Sequence, residues 1–185
     1  MSDFALPFPD RELAGKELER DPCYLKIPKE DRAKVIDMAW NKGEKAAKSV
    51  FERFDGSPDF FEIMKTSGLT VVKEDRDYVV GNHRFFCDYL TGRKRVRLFT
   101  KSVDLWAKKN QLPLDTACNV ILMHEYFHFL EHTELRVTSR EYQVPMLILG
   151  SIKLGSTGIL ALSEIGAHAF AHTYYDLVNR RESEE

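Results

Sequence analysis

The residues best suited to chemistry lie in one pentapeptide, His124-Glu125-Tyr126-Phe127-His128, which has the pattern HExxH. In an α-helix, at about 100° per residue, the two histidines lie about 40° apart on one face and one turn from each other. Both imidazoles can therefore reach a single metal ion. Glu125 lies on the flank of that face, close enough to act on a metal-bound water without ligating the metal. The chemistry that this pattern predicts is metal-assisted hydrolysis.

The helix that carries the motif is expected to be buried. In residues 117–130, almost every position outside the motif is apolar, and a helix that is apolar on all sides belongs in a protein core. Burying two imidazoles and a carboxylate costs on the order of several kcal/mol unless these groups are paired or coordinated. A divalent metal would offset that cost. The alternative is a core helix whose histidines are only hydrogen-bonded.

Two histidines and a water leave tetrahedral zinc short of one protein ligand. A third histidine at the spacing HExxHxxGxxH is absent, because Glu131 and Glu134 occupy the glycine and histidine positions. The better candidate is Glu164 on a predicted final helix, 36 residues after His128 (164 − 128 = 36). This separation is long enough for the second helix to pack against the first. A salt bridge is the alternative role for Glu164.

The final helix carries a single polar stripe on an otherwise apolar surface. Its members are spaced four residues apart: Glu164, His168, His172 and Asp176. His168 lies one turn after the expected ligand, so it could orient a zinc-binding histidine, contact the substrate or face solvent. Orientation of a ligand is the interpretation we favour. His172 could likewise contact the substrate.

Residues 164–171, EIGAHAFA, resemble the ExxAxxFA signature that follows HExxH in the ImmA/IrrE family of gluzincin-type zinc metallopeptidases. The resemblance covers residues 35–178 and leaves residues 1–30 unmatched. It implies a minimal zincin-like domain with zinc bound by His124, His128 and Glu164. It also implies peptide hydrolysis through a zinc-bound water with Glu125 as general base, acting on a regulatory protein. The chain departs from the family at Phe127, where the family usually has glycine.

The order of the predicted helices and strands around these motifs (helices, a sheet, then helices) indicates an α+β fold. We expect a single domain over residues 1–185, with an irregular leader at 1–30 and a catalytic core at 31–180. Apolar periodicity and turn residues indicate a small antiparallel or mixed sheet between two groups of helices. The predicted helices are 31–54, 57–66, 101–110, 115–132 and 160–179, and the predicted strands are 69–72, 78–80, 84–90 and 95–100. Asp115 is the expected N-cap of the motif helix.

Composition restricts the partners of the protein. The formal net charge of −2 gives no electrostatic reason to expect nucleic acid binding. The longest apolar stretch, residues 144–162, is interrupted by Lys153 and three glycines, which argues against a membrane span. Three cysteines without CxxC spacing (Cys23, Cys87 and Cys118) indicate neither a disulfide framework nor a cysteine zinc site. We expect a cytoplasmic protein.

The expected partner is a peptide or protein substrate, bound in extended form along residues 95–100 as an edge strand. The alternative is a zinc-binding regulatory or interaction module without peptidase turnover. Cys23 in the leader could also cap the zinc as an inhibitory thiolate. His83 and His132 are expected at the surface, and Tyr174 is expected in aromatic packing.

Overall fold

Two 25-residue helices form the frame of the fold, and a third helix packs against one of them. The computed structural model describes residues 6–149 and 152–184. The helices are α1 (Ala14–Glu19), α2 (Lys29–Arg53), α3 (Phe60–Thr66), α4 (Thr100–Lys109), α5 (Leu114–Thr133) and α6 (Leu160–Glu184). The strands are β1 (Thr70–Glu74), β2 (Tyr78–Val80), β3 (His83–Phe85), β4 (Cys87–Leu90), β5 (Arg95–Phe99), β6 (Gln143–Leu149) and β7 (Ile152–Gly158). The class is α+β, as predicted.

The contact between α2 and α6 is close because glycines lie at the crossing. A Cβ atom on Gly43 would lie 2.1 Å from the carbonyl oxygen of Gly166. A Cβ atom on Gly166 would in turn lie 2.7 Å from the ring of Phe127 on α5. These glycines therefore let α6 pack tightly between α2 and the HExxH helix.

The main sheet has three strands in the order β1-β5-β4. β5 pairs in parallel with β1 and antiparallel with β4, so the sheet is mixed. The expectation that residues 95–100 form an edge strand is therefore wrong, because β5 is hydrogen-bonded on both sides. In the described part of the chain, β4 is the edge strand on that side of the sheet.

Predicted strand 84–90 is two strands. β3 pairs with β2 in a separate hairpin, whereas β4 pairs with β5. The break falls at Phe86, whose carbonyl oxygen accepts a hydrogen bond from the Phe99 backbone N–H at 2.8 Å. The chain thus changes its pairing partner at one residue, which continuous β-propensity over 84–90 does not reveal.

The leader is more ordered than predicted. Residues 14–19 form α1, and residues 24–26 form a 3₁₀ turn. Ala14 and Leu18 are buried in a small apolar cluster with residues of α2 and α6. This packing stabilises a helix too short to form alone, so the prediction of an irregular leader is wrong there.

α5 is buried on almost all sides, as its composition predicts. It begins one residue before the expected N-cap, because Pro113 takes the N-cap position and Asp115 lies in the first turn. β6 and β7, where sequence analysis assigned no helix or strand, pair in antiparallel fashion as a two-stranded sheet. No helix within residues 6–149 and 152–184 is both long and apolar enough to cross a membrane.

Candidate metal centre

α5 and α6 bring three predicted metal ligands together. The Nε2 atoms of His124 and His128 lie 3.2 Å apart. The Glu164 carboxylate faces both rings, with one oxygen 3.4 Å from His124 Nε2 and the other 3.5 Å from His128 Nε2. Ligands about 2.0–2.1 Å from a tetrahedral zinc ion lie about 3.4 Å from one another. The spacing and the nitrogen and oxygen donors therefore fit zinc.

His168 lies beside this group. One ligand atom from each of His124, Glu164 and His168 falls within 4.8 Å of the others. The His168 ring is buried, and its Nδ1 atom has no hydrogen-bond partner. Burial and the neighbouring imidazole of His124 lower the pKa of His168 to about 3. His168 is therefore neutral near pH 7, and one of its ring nitrogens lies close to the other ligands.

A buried carboxylate orients His128. Glu131 is only 3% exposed, and one of its oxygens lies 3.2 Å from His128 Nδ1. Its other oxygen accepts hydrogen bonds from the Thr138 backbone N–H at 2.6 Å and from the Ser163 hydroxyl at 2.9 Å. A carboxylate behind a histidine fixes the ring so that Nε2 points forward to a metal. Sequence analysis missed this role, although Glu131 lies three residues after His128 on the same face.

The carboxylates of the group stabilise positive charge on His128. Burial acts to lower the pKa of His128, but the hydrogen bond to Glu131 and the nearby carboxylates raise it to about 9. Burial likewise acts to raise the pKa of Glu164, but His124 and His128 lower it to about 2. Glu164 therefore remains an anion throughout the physiological pH range.

Glu125 lies on the side of α5 that faces the sheet. It is 8% exposed, and its Oε1 atom accepts a hydrogen bond from the Cys87 thiol at 3.0 Å. Burial and the Glu125 charge raise the pKa of Cys87 well above its usual value, so the thiol stays protonated and can donate. The first residue of β4 thus contacts the expected general base, a neighbour that the sequence did not predict.

The leader reaches the centre through an aromatic residue. The Phe8 ring stacks on His124 with centroids 4.6 Å apart and on His168 with centroids 5.6 Å apart. The Phe8 carbonyl oxygen accepts a hydrogen bond from His172 Nε2 at 3.2 Å. Cys23 packs instead against the small apolar cluster around α1 and does not join the metal-ligand group.

The remaining candidates lie outside the group of ligands. His172 contacts Phe8 rather than that group, and Asp176 is exposed at the end of the stripe. His83 and His132 are exposed, as predicted. Tyr174 is buried among aromatic rings, and its hydroxyl donates to the Ser57 carbonyl oxygen at 2.7 Å, which confirms its packing role.

Comparisons with known proteins add no relatives. The chain matches no family model, and neither a curated protein nor a solved structure matches it. The resemblance to ImmA/IrrE peptidases therefore depends on the residues of α5 and α6.

Proposed function

We propose that this protein is a gluzincin-type zinc metallopeptidase with a zincin-like fold, similar to the ImmA/IrrE family. The observation that carries the proposal is the convergence of His124, His128 and Glu164 at spacings of 3.2 to 3.5 Å. In this proposal these three residues hold the zinc ion. A buried carboxylate, Glu125, lies on the same helix beside them, as hydrolysis requires.

Zinc, when bound, supplies a Lewis acid that polarises a water molecule and the substrate carbonyl. Glu125 accepts the proton of the attacking water and then donates it to the leaving nitrogen. His168 and His172 are the imidazoles of α6 that can donate a hydrogen bond to the carbonyl oxygen as it gains charge. Burial around Glu125 keeps bulk water from competing for its proton.

The substrate in this proposal is a peptide or protein segment that adds in extended form to β4. β4 has an unpaired edge within the described sheet, and main-chain pairing to such an edge is a common mode of peptide recognition. Cys87 of β4 contacts Glu125, so a peptide on this edge lies beside the general base. The three free thiols, Cys23, Cys87 and Cys118, support a reducing, cytoplasmic location.

A zinc-binding regulatory module without turnover is the second candidate. The contacts that favour it are the Cys87 thiol on Glu125 and the Phe8 ring over His124. In a hydrolytic site, the Glu125 carboxylate must be free to contact water and the face of His124 must be free to contact substrate, and these two contacts cover them.

The test compares Glu125→Gln with Glu134→Gln, a matched control near the end of the same helix whose side chain is exposed. We expect one zinc per chain in both variants by elemental analysis. Glu125→Gln should abolish hydrolysis of a quenched-peptide library, because an amide cannot accept the proton of water. Glu134→Gln should retain it.

Two outcomes would contradict the proposal in different ways. A wild-type protein that takes up no transition metal after zinc is supplied has no metal centre. A protein that binds zinc tightly but cleaves no peptide, even when the contact of Phe8 is removed, is the regulatory module.

A further inference from the structure

The stacking of Phe8 defines a small binding site next to the ligands. The rings of His124 and His168 lie within 20° of parallel to the Phe8 ring, at interplanar angles of 19° and 18°. His172 Nε2 donates to the carbonyl oxygen of the same residue. One aromatic side chain and one main-chain carbonyl of the same residue are thus recognised together. We call the surface formed by these three histidines the aromatic subsite.

The segment that fills the aromatic subsite is held by contacts outside it. Arg11 forms an ion pair with Asp37 on α2 and lies over the ring of Trp40, 5.6 Å from its centroid. Asp10 accepts a hydrogen bond from the Leu13 backbone N–H at 2.9 Å, just before α1 begins. These contacts keep Phe8 tethered close to the subsite.

The residues around Phe8 suit a segment that is bound without being cleaved. Proline lies on both sides of it, at Pro7 and Pro9. Proline has no backbone N–H, so neither residue can donate in a strand ladder. The segment can therefore place its ring in the aromatic subsite without pairing along β4 as a continuous strand.

We infer that the aromatic subsite binds an aromatic side chain of the peptide substrate, and that the leader segment 6–11 occupies it as a tethered competitor. This inference rests on the proposed function, which it deepens in two respects. It assigns the substrate class as peptides with an aromatic residue close to the cleaved bond. It also assigns Phe8 as the group that must leave before such a peptide binds.

The test measures binding separately from hydrolysis. The probe is a fluorescein-labelled peptide of residues 5–11 (ALPFPDR), compared with the same peptide carrying Phe8→Ala. The proteins are wild type, Arg11→Ala, and the double variant Phe8→Ala with Arg11→Ala, all as full chains with unchanged circular dichroism. The Arg11 side chain is 43% exposed, and the circular dichroism of each variant checks that its fold is retained. Leu25→Ala, in the same leader but 86% exposed, is the matched control.

We expect the aromatic probe to bind the double variant at least about tenfold more tightly than wild type, because a competitor that occupies the subsite about 90% of the time lowers apparent affinity by that factor. The affinity of Arg11→Ala for the aromatic probe should lie between those of wild type and the double variant, and that of Leu25→Ala should equal wild type. The alanine probe should bind none of the proteins. Hydrolysis of quenched peptides with an aromatic residue should rise in the same order.

Equal binding of the aromatic probe to wild type and the double variant would overturn the inference. Equal binding of the aromatic and alanine probes would also overturn it. Tighter binding to the double variant without any hydrolysis would support the subsite and refute the peptidase, so the two proposals fail separately.

Discussion

Replacing Glu131 tests whether the site depends on a carboxylate that touches no substrate. Its three hydrogen bonds reach His128, the Thr138 backbone N–H and the Ser163 hydroxyl. Each hydrogen bond to a charged group is worth about 1.5 to 3 kcal/mol. Ser163 is partly exposed and can bond to water instead, whereas the Thr138 N–H becomes an unpaired buried donor. Glu131→Ala should therefore lower the free energy of unfolding by about 3 to 5 kcal/mol.

Glu131→Gln separates orientation from stability. The glutamine oxygen can keep the contact with Thr138, so its NH₂ group then faces His128 Nδ1. His128 must accept that hydrogen bond at Nδ1, which places its proton on Nε2, the atom that faces Glu164. A protonated Nε2 cannot bind zinc. We expect zinc affinity to fall about 10- to 100-fold, with a smaller stability loss of about 1 to 3 kcal/mol.

The assay pairs urea unfolding, followed by circular dichroism, with zinc competition against a fluorescent chelator. Glu134→Gln is the control, since its exposed ion pair with Arg53 contributes only about 0 to 1 kcal/mol. If Glu131→Gln binds zinc as tightly as wild type, the tautomer argument is wrong. If Glu131→Ala unfolds at the wild-type urea concentration, the buried network does not stabilise the fold.

Three further predictions concern the ligands, the core and a thiol. Glu164→Ala should lose zinc to a chelator much faster than His168→Ala, and the reverse order would show that three histidines bind the metal. Gly43→Ala should lower the free energy of unfolding, measured in urea, by about 3 kcal/mol or more, because its Cβ would lie 2.1 Å from a backbone oxygen of α6. The control is Gly15→Ala, which has no atom within 4 Å of its Cβ and should not destabilise the protein. Burial raises the pKa of Cys118 from the usual 9.0 to about 11. Its thiolate fraction at pH 8, and therefore its alkylation rate, should be about 100-fold lower than for an exposed cysteine. Rapid alkylation of Cys118 in the native protein would contradict this.

The sequence predicted the helices of the site well, because local patterns specify them. The spacing of His124 and His128 and the apolar surroundings of α5 depend only on helical periodicity. The same holds for the polar stripe of α6. That Glu164 faces both histidines agrees with the predicted helix packing.

Features that depend on tertiary contacts were missed. β5 has the composition of any short strand, and nothing local shows that β1 and β4 flank it. Most residues of α1 favour helix, but a six-residue helix is too short to be stable alone, and α1 is held by packing against other helices. The contacts of Cys87 with Glu125 and of Phe8 with His124 join residues 38 and 116 positions apart (125 − 87 = 38; 124 − 8 = 116). Helical and strand periodicity carry no information at such separations.

The packing of Phe127 against Gly166 has an evolutionary consequence. The ring fills the space that a side chain at position 166 would need, since a Cβ there would lie 2.7 Å from it. The two positions share one volume, so substitutions at them should be correlated in related sequences. Related chains with glycine at position 127, before the second histidine of HExxH, can carry a larger residue at position 166. Chains with an aromatic residue at position 127 should keep glycine at position 166. Such paired changes would keep the total side-chain volume between α5 and α6 constant, and so keep the ligands of the two helices at the same distance from one another.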